Sequence, residues 1–227
     1  MFVQLQSRHK PAPPWATLLV VAVCVIVFLW LATLPEGRRA AVITQWGTVP
    51  AALLDANVTW LRQLTELRAA RLVTAIFIHA DWLHITGNLL FLIVFSVPTE
   101  RVLGSLRLLA LFVIGGALAN LIGAYTLAST SAPLIGSSGA VSTVVGAYFA
   151  LFPRARLGLV LPLGVFLEFV RIPAPLLIGF WAMLQLLFTY VGPAFGAVAW
   201  WTHIGGFVIG IVFALLSRPA IARRLRD

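Results

Sequence analysis

The stretch WATLLVVAVCVIVFLWLATL, residues 15–34, decides the fold class of this chain because it runs for twenty residues without a charge. A helix needs roughly 20 apolar residues to cross the hydrocarbon core of a bilayer. The alternative is a secretory signal, whose apolar region is only about 7 to 15 residues and ends in a small-residue cleavage site. The length of the run and the lack of a clean cleavage site favour a retained transmembrane helix.

The composition of the whole chain agrees with this first helix. Apolar residues make up 61% of the 227 positions and charged residues only 10%, whereas a soluble domain has roughly 45–50% and about 25%. We therefore predict an all-α polytopic membrane protein, a bundle of six transmembrane helices in one domain at 15–217. Residues 1–14 and 218–227 are expected to be a short tail and a basic tail. The predicted spans lie at about 15–34, 82–97, 105–127, 138–152, 173–190 and 200–217.

Two segments between these spans are not predicted to cross. Residues 35–75 are of mixed polarity, and their leucines and Trp60 fall at spacings that predict short amphipathic helices at the membrane interface. Residues 157–170 are apolar, but the run is short and contains Pro162, Gly164 and Glu168. We expect this second segment to be a membrane-embedded connection on the cytoplasmic side.

The net charge of +9 is better explained by membrane topology than by nucleic-acid binding. The basic residues lie at the ends of apolar runs and form no stripe with interleaved aromatic residues. Of the 16 basic residues, five lie in the long first loop, and the other 11 would be cytoplasmic if the amino terminus were inside. Both termini are therefore predicted to be cytoplasmic. The single Cys24 cannot form an intrachain disulfide.

Ser138 and His203 are the polar residues that most need an explanation in this topology. Reactive side chains within membrane spans are costly and are functional by default. The even-numbered spans begin at the outer face, so His84, Ser138 and His203 share one depth. A serine becomes a nucleophile when a base takes its proton, and His203 is the candidate base. Because no carboxylate lies at that depth, the pattern predicts a catalytic dyad, against the alternative of a core histidine.

His84 and Asn88 are four residues apart and therefore face the same side of the second span. With the N–H of Ser138 at the start of the fourth helix, they are candidate oxyanion donors. The alternative for this pair is a polar clasp between helices. Asp81 precedes the span and is interpreted as its N-cap rather than as a catalytic acid.

Small residues flank both reactive side chains. Gly136 and Gly139 permit unusual backbone dihedrals and the approach of a substrate to the Ser138 hydroxyl. Gly206 and Gly210 continue the face of His203, and a similar stripe follows Ser138 along its own helix. Close packing of the two stripes would bring the serine and the histidine within reach of each other.

In these residues the chain resembles the rhomboid intramembrane serine proteases. The matching strings occur in the order of that family and extend over residues 71–210. They are FIHADWLHITGN at 77–88, Glu100-Arg101 with Gly104, GSSG at 136–139, and HIGG at 203–206 with Gly210.

The resemblance implies that Ser138 is the nucleophile, His203 the general base, and His84 with Asn88 the oxyanion donors. His79 matches a further, supportive histidine of the family. Arg71 resembles the arginine of a Trp-Arg pair in the first loop, although Ala70 occupies the tryptophan position. Some members carry a tyrosine four residues after the nucleophile, packed on the histidine, where this chain has Ser142.

The same resemblance implies a multi-pass protein of the bacterial inner membrane that needs no metal or other cofactor. Its partners would be the lipid bilayer and single-span membrane proteins, which it would cut within or beside their helices. A catalytically silent relative that binds and escorts membrane helices is the main alternative. A transporter would need polar residues at mid-membrane and repeated halves, and a zinc protease would need a His-Glu-x-x-His string, which the sequence lacks.

Overall fold

The computed structural model describes residues 13–59, 61–62, 68–163, 166–191 and 199–224. The helices are α1 (Trp15–Thr33), α2 (Glu36–Trp46), α3 (Pro50–Leu53), α4 (Arg71–Thr74), α5 (Trp82–Leu103), α6 (Ser105–Thr126), α7 (Ser138–Leu151), α8 (Ala174–Val191) and α9 (Trp200–Arg224). A short 3-10 turn at Ala75–Phe77 precedes α5, and α6 contains a π-helical stretch at Leu111–Gly115. Two strands, β1 (Arg156–Leu163) and β2 (Phe166–Pro173), separate α7 from α8.

Helices occupy all six predicted spans, which confirms the polytopic helical fold class. In the described part of the chain, α1, α5, α6, α8 and α9 are long and apolar enough to cross a membrane. The sixth helix, α7, has only 14 residues. It lies at the centre of the bundle, because every residue from Gly139 to Tyr148 is buried. The protein is therefore an integral multi-pass membrane protein.

Two helices extend further than the sequence predicted. α5 continues through Pro98 to Leu103, and α9 continues through Pro219 into the segment predicted to be a basic tail. A proline removes one backbone hydrogen bond, but packing holds both helices beyond it. Glu100 and Leu103 are buried, and Arg224 donates to the last carbonyls of α5. Residues 1–12 and 225–227 of the predicted tails lie outside the described residues.

The segment at 157–170 is not helical. It forms most of an antiparallel hairpin, with Arg156 opposite Pro173 and Leu163 opposite Phe166. A bond of 2.8 Å from Ala174 N–H to the Ala155 carbonyl closes its base. The hairpin joins the end of α7 to the start of α8. That this connection does not cross the membrane stays a prediction, and its β structure is an addition that the sequence did not predict.

Glycines allow α7 and α9 to pack at backbone contact. A methyl group added at Gly206 would lie 2.5 Å from the Gly139 carbonyl oxygen, and one at Gly210 would overlap the Thr143 carbonyl. From the other side, a methyl group at Gly146 would overlap the Phe207 carbonyl. The two small-residue stripes thus pack against each other as predicted.

The first loop is tied to the loop that precedes α7. Thr48 and Leu134 form an antiparallel bridge with bonds of 3.0 and 2.7 Å. Asn120 Nδ2 on α6 also donates to the Leu72 carbonyl at 2.9 Å. Short helices are present in this loop at 36–46 and 50–53, whereas positions 60 and 63–67, which include much of the pattern that predicted interfacial helices, lie outside the described residues.

Candidate active site

Ser138 is the first residue of α7, and the turn before it is made possible by Gly136. The φ angle of Gly136 is +112°, a conformation that side chains disfavour. A Cβ at this position would also lie 2.5 Å from Nε2 of His84. The N–H of Gly136 donates to the Ala75 carbonyl at 2.9 Å. The chain is therefore held at the point where it presents the serine.

The structure brings Ser138 and His203 together. Oγ of Ser138 lies 2.9 Å from Nε2 of His203, within hydrogen-bonding distance. Ser138 begins α7, and His203 lies in the first turn of α9. The glycine contacts between these two helices set the separation. This is the relation between nucleophile and base that serine hydrolysis requires.

The second ring nitrogen of His203 also has a partner. Nδ1 lies 2.7 Å from Oε1 of Gln185 on α8, and the ring of Trp200 meets the imidazole edge-on with centroids 5.9 Å apart. Ser142, at the position where some family members have a tyrosine, donates instead to the Ser138 carbonyl at 2.7 Å. The prediction of an isolated dyad did not include Gln185. The available signal was an amide in the otherwise apolar run 174–188.

His84 and Asn88 lie on the wall of the same cavity as Ser138 and His203. Nδ1 of His84 accepts the N–H of Ala80 at 3.4 Å, which leaves the proton on Nε2, near Gly136. Nδ2 of Asn88 donates to the His84 carbonyl at 2.9 Å and keeps a second N–H. These bonds stay within one stretch of chain, so they do not clasp another helix. Both side chains retain a donor.

Asp81 is the N-cap of α5, as predicted. Its Oδ1 accepts the N–H of His84 at 2.8 Å. A carboxylate at this position satisfies one of the unpaired donors of the first turn and interacts favourably with the helix dipole. The hydrogen bond of Asp81 orients the backbone of α5, and the partner of the His203 ring is Gln185.

His79 contacts the residue that precedes Ser138. It is fully buried, its Nε2 lies 3.1 Å from Oγ of Ser137, and its ring meets that of His84 edge-on at 5.1 Å. Burial, reinforced by the neighbouring His84, lowers the pKa of His79 to about 4. The imidazole is therefore neutral at pH 7. Its contacts position the residue next to the nucleophile.

Arg71 contributes to loop anchoring through its backbone. Its carbonyl accepts the hydroxyl of Thr48 at 2.9 Å, and Thr48 in turn pairs with Leu134 before α7. A backbone carbonyl makes this bond whichever side chain is present. The first loop is thus attached to the site although Ala70 replaces the tryptophan of the family pattern.

The side chains of the site open into a cavity of about 610 Å³. A second, apolar cavity of about 480 Å³ lies between α5 and α8. Phe91 and Trp181 line both cavities. Within the described ranges, no group of three or more His, Cys, Asp or Glu side chains could hold a metal ion. The residues that line the first cavity include Ser138, His203, His84, Asn88, Gln185, Trp200, Thr202 and Asn120.

Comparison of the sequence with known proteins identifies relatives of this chain. Rhomboid-related protein 2 of Mus musculus is 31% identical over 145 residues, which are 64% of this chain and 45% of that protein. The rhomboid protease GlpG of Serratia proteamaculans is 26% identical over 216 residues, 94% of this chain and 66% of that protein. The putative rhomboid protease YdcA of Bacillus subtilis is 33% identical over 90 residues, 39% of this chain and 45% of that protein.

The chain thus spans less than half the length of the mouse and Bacillus relatives. The family model of the Rhomboid domain matches residues 66–220, which include α4 to α8, most of α9 and every candidate site residue named above. This match covers well over half of the chain. The chain belongs to the rhomboid family.

Proposed function

We propose that this protein is an intramembrane serine endopeptidase that hydrolyses peptide bonds in or next to the transmembrane segments of other proteins. The observation that carries the proposal is the 2.9 Å separation between Oγ of Ser138 and Nε2 of His203 beside an open cavity. Membership of a family whose named relatives include proteases supports the same reaction class.

In the proposed reaction, His203 Nε2 takes the hydroxyl proton while Ser138 Oγ attacks the carbonyl carbon of the scissile bond. The carbonyl oxygen becomes an oxyanion near the N–H of Ser138, His84 Nε2–H and the free N–H of Asn88. The imidazolium then gives its proton to the leaving amine, which leaves an acyl-enzyme. Water, deprotonated by the same imidazole, releases the carboxylic acid and restores the serine.

The substrate must reach the site from the lipid. A helical substrate hides its carbonyls in backbone hydrogen bonds, so cleavage needs local unwinding. The proposed path is the apolar cavity between α5 and α8, which adjoins the cavity of the site because Phe91 and Trp181 line both. Ala174 and Ile178 are buried, and every other residue of α8 is at least partly exposed. We take α8 as the mobile side of this path, and a single-span membrane protein as the substrate.

The proposed setting is the inner membrane of a bacterial cell, with both termini in the cytoplasm. Six crossings place the two termini on one side, and the uncharged loops at the Ser138 end favour an external site. Proteolysis would then occur near the outer surface. Residues 15–217 form the proposed membrane domain.

The test is cleavage of a model single-span substrate by the purified chain in liposomes. Ser138→Ala and His203→Ala should each reduce the rate at least about 1,000-fold, because the two groups act as a unit. Ser217→Ala is the matched control, since Ser217 lies 14 residues beyond His203 on the same helix, about 21 Å away. This variant should cleave at the wild-type rate. Covalent labelling of Ser138 by a fluorophosphonate probe should follow the same pattern.

Two outcomes would overturn the proposal. Undiminished cleavage in both site variants would place the chemistry elsewhere. A wild-type protein that binds the substrate, cleaves none of it and takes up no probe would instead be the catalytically silent escort.

A further inference from the structure

Gln185 is an amide in a helix that is otherwise apolar over most of its length. It lies on α8, whose sequence from Ala174 to Phe188 contains no other side chain that can both donate and accept hydrogen bonds. Its Oε1 lies 2.7 Å from Nδ1 of His203. A polar side chain in a membrane span is costly unless it is satisfied. The amide therefore has a specific partner, and that partner is the proposed general base.

We propose that Gln185 is a positioning residue that fixes the tautomer and the orientation of His203, which extends the proposed dyad to a hydrogen-bonded Ser138–His203–Gln185 triad. This inference rests on the proposed function. An amide oxygen can only accept, so Nδ1 of His203 carries the ring proton. Nε2 then has a free lone pair directed at Oγ of Ser138, 2.9 Å away. The opposite tautomer would offer Ser138 an N–H and could not take its proton.

An amide suits this position better than a carboxylate. In soluble serine proteases an aspartate orients the histidine and stabilises the imidazolium. A carboxylate in a span would have to be desolvated, at a cost of several kcal/mol. An amide supplies the same acceptor as a dipole at a lower cost. Gln185 thus orients the ring without introducing a charge into the bundle.

The ring is held from two directions. Trp200 meets it edge-on, and Trp200 itself stacks on Phe188 of α8 with ring centroids 4.9 Å apart. Gln185 and Phe188 are three residues apart and therefore lie on the same face of α8. The half of α8 nearest Ser138 therefore contacts α9 around His203. The orientation of the base depends on the position of α8.

The experiment compares Gln185→Leu, which removes the acceptor, with Gln185→Glu, which keeps one. Gln185→Leu should lower kcat about 10- to 100-fold, a part of what general-base catalysis contributes, with KM within about twofold. Gln185→Glu should recover most of this loss. Thr189→Val is the matched control, because among the described residues the Thr189 hydroxyl bonds to the Leu186 carbonyl of its own helix alone, at 2.6 Å. It should leave both constants unchanged.

The pH profile separates positioning from a merely structural contact. In Gln185→Glu the added carboxylate favours the protonated ring, so the acidic limb of kcat/KM should move to higher pH by about one unit. Besides His203, the described cavity wall has one further side chain that titrates near neutral pH, His84 on α5. The control Thr189→Val should keep the wild-type limb.

A spectroscopic arm does not depend on activity. The 15N spectrum of histidine-labelled protein, with His203 assigned by comparison with His203→Ala, should show a protonated Nδ1 in the wild type. In Gln185→Leu this signature should be lost or mixed with the other tautomer, while the melting temperature stays close to that of Thr189→Val.

Several results would overturn the inference. They are an unchanged kcat in Gln185→Leu, a change in KM alone, a Gln185→Glu variant that folds but is as slow as Gln185→Leu, or a wild-type ring protonated on Nε2. An inactive wild type with the expected 15N signature would instead count against the proposed function and leave the positioning of the ring intact.

Discussion

In the described part of this apolar bundle, a polar cluster around Glu100 and another around Ser138 lie near opposite ends of α5. His84, on the wall of the same cavity as Ser138, and Glu100 are about 24 Å apart along that helix. The Glu100 cluster consists of Ala16, Thr17 and Glu100. Oε1 of Glu100 accepts the N–H of Ala16 at 2.9 Å, and Oε2 accepts the N–H and the hydroxyl of Thr17 at 2.9 and 2.5 Å. The Ser138 cluster consists of Ser138, Gln185 and His203, and it faces an open cavity.

The two clusters differ in whether their polar groups keep a donor or acceptor that is not already used in a hydrogen bond within the bundle. Glu100 is only 2% exposed, and both its oxygens cap the start of α1, so the cluster joins two helices and has no access for a ligand. In the Ser138 cluster the hydroxyl of Ser138 can still give up a proton, and Nε2 of His203 can accept it. A polar group inside a membrane protein is therefore structural when backbone donors saturate it. It is a candidate for chemistry when side chains leave it facing space.

Removal of Glu100 should break the first cluster and have the largest effect on stability. Glu100→Ala leaves two N–H groups and one hydroxyl buried without partners, which should lower the free energy of unfolding by about 3 kcal/mol. Turnover per folded molecule should change little at low temperature. Thermal unfolding in detergent and cleavage measured on the same sample will check both.

Glu36 offers the matched control for that variant. Like Glu100, it is a carboxylate next to the first turn of a helix, but it belongs to that helix, α2, and is exposed. Glu36→Ala should therefore shift stability by less than about 0.5 kcal/mol. Equal destabilisation by the two variants would contradict the distinction between buried and exposed carboxylates.

Separation of α7 from α9 should affect the second cluster selectively. In Gly210→Ala the new methyl group overlaps the Thr143 carbonyl, which should cost about 1–3 kcal/mol and move His203 away from Ser138. The cleavage rate per folded molecule should therefore also fall, beyond the loss that comes from a smaller folded fraction. Gly179→Ala is the control, because no described atom beyond the neighbouring backbone of its own helix lies within 4 Å of the added methyl group. A Gly210→Ala variant with normal activity would show that the close helix contact does not set the site.

His79 tests the boundary between the two kinds of cluster, since it is buried like Glu100 but touches the residue before Ser138. Its pKa is lowered to about 4 in the folded protein, from an ordinary value near 6.5. The unfolded chain therefore binds more protons between those values, and stability should fall as the pH drops below about 6.5. The loss due to His79 should reach about 1 kcal/mol by pH 5.5.

His79→Gln isolates this contribution because an amide can bond to Ser137 and does not titrate. Melting temperatures of both proteins at pH 7.5 and 5.5 give the double difference. The wild type should lose more stability than the variant on acidification. Parallel losses would mean that His79 is protonated as easily in the folded protein as in the unfolded chain.

Much of the fold follows from local properties of the chain. An uncharged run such as residues 15–34 has to satisfy its backbone internally in a membrane, so a helix is predictable without tertiary information. The N-cap role of Asp81 was predictable for a similar reason, because its partner is three residues away. Ser138, His203, His84 and Asn88 were identifiable because such groups are expensive to bury in lipid.

Features that depend on distant partners were not predictable. Gln185 is 18 residues from His203 and belongs to no motif, and only the packing of α8 on α9 makes it a ligand of the imidazole. Helices α5 and α9 continue beyond their prolines because Glu100 and Arg224 are held by contacts with residues more than 80 positions away in the sequence. The hairpin at 156–173 depends on pairing between two strands, and periodicity cannot settle that in a short apolar run.

The sequence by itself determined that the chain spans a membrane several times and carries a serine, three histidines and an asparagine where water-loving groups are costly. The tertiary structure decided which of these groups meet. Backbone contact at Gly139, Gly206 and Gly210 sets the 2.9 Å between Ser138 and His203, and the position of α8 supplies the second partner of the imidazole. The cost of burial depends on residue type alone, whereas a hydrogen bond between helices depends on where both helices lie.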